Sequence, residues 1–146
     1  MIDFASLVDT ELGVGDWFQI DQDRVDAFAD ATDDHQWIHQ AGAQADEGPF
    51  GGPIVHGFLT LSLMRPLTTS VMELYQEGVA MVINYGVDRV RFINPVPVGS
   101  RVRGRVVLVG VKPIDGGVQL KTATTVELEG SDRPAAVIES LLRYHG

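Results

Sequence analysis

The chain contains no cysteine. Disulfides, thiolate nucleophiles and cysteine-ligated metals are therefore excluded. Basic residues are scarce too: 11 Lys and Arg stand against 20 Asp and Glu, a formal net charge of −9. Nucleic acids and anionic membrane surfaces both call for a basic footprint, so neither is an expected partner. No run approaches the ~18 uncharged apolar residues of a membrane-spanning helix. Met1-Ile2-Asp3-Phe4 lacks the basic stretch that opens a secretory signal, so the expected location is cytoplasmic. Also missing are a phosphate-binding glycine fingerprint after a strand, the Gly-x-Ser-x-Gly elbow of serine hydrolases, internal repeats and low-complexity tracts.

What remains is the composition of an ordinary globular domain: 146 residues, 45% hydrophobic and 21% charged. That length buries a sizeable core, and residues 1–146 read as a single domain. Two halves differ in character. In the first, Trp17–Ile20 is a short strand candidate, and Asp21 is placed to cap a helix over Arg24–Thr32. On that helix Val25, Phe28, Ala29 and Thr32 share one face. Asp33–Trp37 reads as loop and Gln40–Ala45 as a short helix. Gly48–Pro53, with two prolines and three glycines, forbids regular structure. His56–Met64 is apolar or small on all sides, the mark of a buried helix, and Pro66 should kink it or end it early.

The second half alternates. Met81–Phe92, Ser100–Val111, Gly117–Glu127 and Ala135–Tyr144 carry β-branched residues at period two, separated by turn chemistry. With the early strand this makes five, expected to be antiparallel and consecutive in the sheet. One buried helix and a sheet curled around it is an α+β layer architecture.

The stretch richest in chemistry is Phe28-Ala29-Asp30-Ala31-Thr32-Asp33-Asp34-His35-Gln36-Trp37-Ile38-His39. Asp34 and His39 are five residues apart, which would separate them around a continuous helix. A loop between them can turn both side chains to one point. A carboxylate and an imidazole sharing one water form acid–base apparatus that works near neutral pH. From the residues alone a second reading stands beside it: Asp33 and Asp34 cap a helix, and the histidines are surface residues. A zinc site on His35 and His39 is not expected, because the stretch is not helical and no third histidine is near in sequence.

Thr32, Asp34, Ile38, His39 and Ala45 fall in register with the signature of the MaoC-like, (R)-specific enoyl-CoA hydratase family, which this stretch resembles. Asp33 replaces a glycine of that signature, Gln36 an asparagine and Trp37 a proline. The Asp-His-Gln-Trp-Ile-His form is similar to a subgroup that includes nodulation-protein-N-like hydratases. Gly52-Pro53-Ile54-Val55-His56-Gly57-Phe58-Leu59 resembles the family's loop into its central helix. Val90–Ser100 resembles its Arg-Phe, Pro-Val and Gly element.

The resemblance implies a hot-dog fold, with the sheet wrapped around a central helix, and hydration of a trans-2-enoyl thioester to the (R)-3-hydroxyacyl thioester. Asp34 and His39 would hold the water. No cofactor is implied, since CoA belongs to the substrate, and the open sheet edge points to a homodimer. Gly57, opening the buried helix, has free N–H groups beside it for a developing enolate, and the family assigns that role to the matching glycine. Two other readings share this fold: a hot-dog acyl-CoA thioesterase, and a non-catalytic acyl-CoA-binding protein.

Further candidates are less specific. His56 braces the loop or meets substrate. His35 and His145 are expected at the surface. Arg101, Arg103 and Arg105 alternate on one face of a strand, either solvated or facing the phosphates of CoA, as could Arg89 or Lys112. Asn84 and Tyr85 are candidates for the acyl pocket.

Overall fold

In the computed structural model, which describes all 146 residues, Asp21 caps the first long helix as its position predicts. Its side chain accepts from the Arg24 N–H at 3.0 Å, and α1 runs Gln22–Thr32. Two short strands precede it, β1 (Thr10–Val14) and β2 (Phe18–Gln19). A short α2 (Ala43–Asp46) follows the loop, later than the expected Gln40–Ala45. Then come α3 (Gly57–Ser62) and α4 (Met64–Met72). These two are one helix broken at Leu63, one turn ahead of Pro66; it is not buried on all sides as expected, since Phe58, Ser62, Arg65 and Pro66 are exposed along it. Proline has no N–H for the Ser62 carbonyl and its ring crowds that oxygen. The ladder resumes at once, with Leu67 N–H donating to the Leu63 carbonyl at 3.0 Å.

Four long strands complete the chain: β3 (Met81–Phe92), β4 (Arg101–Ile114), β5 (Gly117–Leu128) and β6 (Ala136–His145). The sheet has six strands, not five, in the order β1-β4-β5-β6-β3 with β2 also on β4, all pairings antiparallel. The expected consecutive order holds only for β4, β5 and β6. β3 does not pair with β4. It lies at the far edge beside β6, with Met81 opposite His145 and Phe92 opposite Ala136. Pro95 and Pro97 in the intervening link have no N–H for a hairpin ladder. The link instead crosses the molecule and binds the loop before α3, through Val55 N–H to Val96 O at 2.8 Å and Val98 N–H to Pro53 O at 2.9 Å.

The sheet curls around α3 and α4, which makes this the expected hot-dog architecture. Val102, Val106 and Leu108 of β4 face the helices and are buried. Gly104 sits between them, and a Cβ there would come within 3.0 Å of the Leu67 carbonyl oxygen. That close approach seats α4 against the strand. One core cluster, including Leu59, Leu63, Leu67, Val96 and Ile138, surrounds the upper helix. A second, including Val71, Met72, Leu120 and Tyr144, fills the lower end. No helix is long and apolar enough to cross a membrane.

Candidate active site

The site begins where α1 stops. Asp33 closes the helix in the left-handed region at φ 57°, which explains why the resembled signature has glycine there; Asp is among the few other residues that tolerate it. The reversal turns the chain sharply, and Asp34 N–H still reaches the Ala29 carbonyl at 3.2 Å. The Asp34 carboxylate is left half in solvent, its side chain 50% exposed. After the loop a 3-10 turn over Trp37–His39 buries the His39 ring.

His39 Nδ1 lies 2.7 Å from the Ile54 carbonyl. A carbonyl only accepts, so Nδ1 carries the proton and Nε2 presents a lone pair. A carboxylate oxygen of Asp34, a ring nitrogen of His39 and one of His56 all lie within 4.8 Å of one another. One water making two hydrogen bonds of ~2.8 Å spans such a gap. The loop thus brings Asp34 and His39 to one point, while His35 stays outside, with Asp30 3.5 Å from its ring at the surface.

His56 joins them from the residue before α3. It is 2% exposed, and its Nε2 donates to the Asp34 carbonyl at 3.0 Å. Its ring stacks on His39 with centroids 3.7 Å apart and planes 22° apart. These three side chains have the composition of a metal site, but the stacking works against it. A metal must lie near the plane of each ligating ring, and two nearly parallel rings in face-to-face contact share no such point.

A cavity of about 310 Å³ opens beside the pair, lined among others by His39, Gly57, Thr60, Phe92 and Val96. Its wall is mostly apolar. Gly57 is the first residue of α3, and the Gly57 and Phe58 N–H groups take no backbone acceptor. A Cβ at Gly57 would come within 2.7 Å of the Phe92 ring, so glycine is needed to let that ring close one side of the cavity. Thr60 and Phe92 escaped sequence reasoning. Their signals were present: Thr60 is one turn beyond Gly57, and Phe92 belongs to the Arg-Phe element.

The arginine row does not reach this cavity. Buried Val102, Val106 and Leu108 point to the helices, so Arg101, Arg103 and Arg105 occupy the opposite face. Each is engaged there: Arg101 with Glu129 at 2.6 Å, Arg103 with Glu127 at 2.9 Å, and Arg105 with Glu11 at 2.6 Å. The hydrogen bond to Glu11 holds the Arg105 pKa above its ordinary value. Trp17 covers the Arg103 guanidinium at 4.3 Å. Arg101 and Arg103, offered from the sequence as candidates for the phosphates of CoA, therefore stand on the face of β4 away from this cavity, each paired with a carboxylate. Tyr85 is likewise not at the cavity; it lies on the Arg143 guanidinium at 3.3 Å. Asn84 lines a separate, smaller cavity of about 90 Å³ between α4 and the sheet.

A family model described as "MaoC like domain" matches residues 3–130. The chain is 50% identical over 143 residues to 3-hydroxyacyl-thioester dehydratase Z of Mycobacterium tuberculosis, covering 97% of this chain and 93% of that protein. It is 49% identical over 138 residues to nodulation protein N of Rhizobium leguminosarum bv. viciae, covering 92% and 84%. Among solved structures, the (R)-hydratase from A. caviae involved in PHA biosynthesis superposes with a TM-score of 0.71 at 24% identity, covering 92% of this chain and 94% of that one. A MaoC-like dehydratase from Rhodospirillum rubrum gives 0.73 at 17% identity, covering 95% and 93%. At those identities the two structures speak for the fold alone.

Proposed function

The chain belongs to the MaoC-like domain family of hydratases and dehydratases, and from that premise we propose that it adds water to a trans-2-enoyl-CoA, giving the (R)-3-hydroxyacyl-CoA, and runs the reverse elimination. The observation that carries this reading is the Asp34–His39 pair, spaced to share one water, with His39 on the wall of the mostly apolar cavity. His39, whose Nδ1–H is held by the Ile54 carbonyl, offers its Nε2 lone pair to that water; Asp34 orients it. As the oxygen bonds to C3, the C2–C3 π pair moves towards the thioester and its carbonyl oxygen takes up negative charge. A proton from the same pair then reaches C2. The Gly57 N–H is the donor for the developing oxyanion, where preorganised amides are worth most. No cofactor enters this sequence.

The enzyme acts as a homodimer. β3 is an edge strand, and Met81, Ile83, Tyr85, Val87 and Phe92 on it are exposed. Such an edge pairs readily with a second copy.

Incubation with crotonyl-CoA tests the function. Loss of the enoyl absorbance with CoA still attached, and (R)-3-hydroxybutyryl-CoA as product, is the expected result. Release of free CoA thiol would make the protein a thioesterase, and binding without turnover an acyl-CoA-binding protein.

A further inference from the structure

We infer that His56 is a positioning residue that holds both members of the catalytic pair, an inference that rests on the proposed hydration chemistry. Two contacts carry it. Nε2 donates to the Asp34 carbonyl at 3.0 Å, across 22 residues of sequence. The imidazole face lies flat on His39 at 3.7 Å. Phe28 of α1 backs the ring edge-on at 5.0 Å. The other hydrogen bond on Asp34 is its own N–H on the Ala29 carbonyl at 3.2 Å, which ties it to α1 but not to His39, and its carboxylate is half in solvent. His56 is therefore the side chain that ties Asp34 directly to His39.

The hydrogen bonds fix opposite tautomers. His39 must carry its proton on Nδ1, to meet Ile54, and His56 on Nε2, to meet Asp34. The remaining His56 nitrogen, Nδ1, is buried without a partner. A buried polar atom left unmatched costs stability, and a phenylalanine of similar shape would avoid that cost. The structure retains an imidazole where shape alone needs only a benzene ring, so the Nε2–H is what the position uses.

Three variants measured with crotonyl-CoA test the inference. His56→Phe keeps the stacking and loses the donor; kcat should fall by roughly 10–100-fold with KM changed less than about 3-fold, because small misplacements of reacting groups cost on that order. His56→Gln puts an amide N–H near the lost one and should recover most of kcat. In an Asp34→Asn background, His56→Phe should cost little more, because the carboxylate it positions is gone. Wild-type kcat in a folded His56→Phe protein would overturn the inference, as would equal losses in the two single variants or an undiminished loss in the Asp34→Asn background. A measurement free of mutation stands beside these: imidazole nitrogen NMR of the unmodified protein should show His56 protonated on Nε2. Protonation on Nδ1 would equally overturn it. Failure of the wild-type protein to hydrate any enoyl thioester would instead strike the proposed function and leave the tautomer result standing.

Discussion

Replacing Gly57 by alanine separates the helix end from the acid–base pair. The new Cβ would lie 2.7, 2.8 and 3.0 Å from three atoms of the Phe92 ring, well inside van der Waals contact. The ring is 45% exposed, so it can swing outward instead of distorting the backbone. Alanine is also a better helix former than glycine by up to about 1 kcal/mol. The two effects oppose each other, and the melting temperature should move little. Activity should not be spared. The methyl group and the displaced ring intrude where a thioester must approach the Gly57 N–H, and loss of an oxyanion donor costs roughly 2.7–4 kcal/mol. That corresponds to a fall of about 100- to 1,000-fold in kcat for crotonyl-CoA hydration, followed by enoyl absorbance. Phe92→Ala supplies the control. If Gly57→Ala combined with Phe92→Ala regained the activity of Phe92→Ala alone, the loss would belong to the ring and the helix end would not be the electrophile. A folded Gly57→Ala enzyme with unchanged kcat would refute the role outright.

Asp34→Asn and His39→Ala should each lower the hydration rate by about 10²–10⁴-fold, and the double variant should be little worse than either; steady-state kinetics of the three would show additivity if the two act on separate steps. Val87→Lys puts a charge on the exposed β3 edge and should yield a monomer by light scattering where the wild type is a dimer. Tyr144→Phe should keep or raise the melting temperature, because the phenol oxygen is buried without a hydrogen-bond partner. Burial raises the Tyr144 pKa above its ordinary 10.0, so the folded state favours the neutral phenol: its contribution is complete below about pH 10 and lost as pH rises through the folded value. Stability of the wild type should accordingly fall more steeply in alkali than that of Tyr144→Phe, as measured by denaturant titration.

Much of the fold was legible because its signals are local. The Asp21 cap, the break ahead of Pro66 and the period-two strands each depend on residues within a turn or two. β1 was not, since five residues containing Gly13 bury only Leu12 and leave too little alternation to register. The position of β3 was not legible either. Asn94–Gly99 announces a turn, but its direction is set by hydrogen bonds to Pro53 and Val55, some 40 residues earlier. The arginine row shows the same limit. Its alternation on one face follows from period two, whereas the register that sets Arg103 opposite Glu127 appears only once β4 meets β5.

The candidate site divides along the same line. From spacing alone the Asp34–His39 pair is one of two readings, and the resemblance to the family signature is what favours it; the structure brings the two side chains together across a loop of four residues. His56 is also a candidate from the sequence, as a brace for the loop or a substrate contact, but its meeting with the pair is not legible, since it reaches them through a backbone segment that the sequence marks only by its glycines and prolines. Residues 53–55 connect the two sides of the site. Ile54 N–H donates to the Ile38 carbonyl at 2.8 Å, and the Ile54 carbonyl accepts from His39 Nδ1 at 2.7 Å. On the other side Pro53 O and Val55 N–H hold the β3–β4 link. All four of these contacts use main-chain atoms of Pro53, Ile54 and Val55. They fix the tautomer of His39, deliver His56 against Asp34 and start α3 at Gly57. The Gly-Pro-Ile-Val-His-Gly stretch thus acts chiefly through its backbone. Substitutions of Ile54 or Val55 that keep apolar bulk should therefore leave the catalytic geometry intact, while a change in the length of this segment should destroy it.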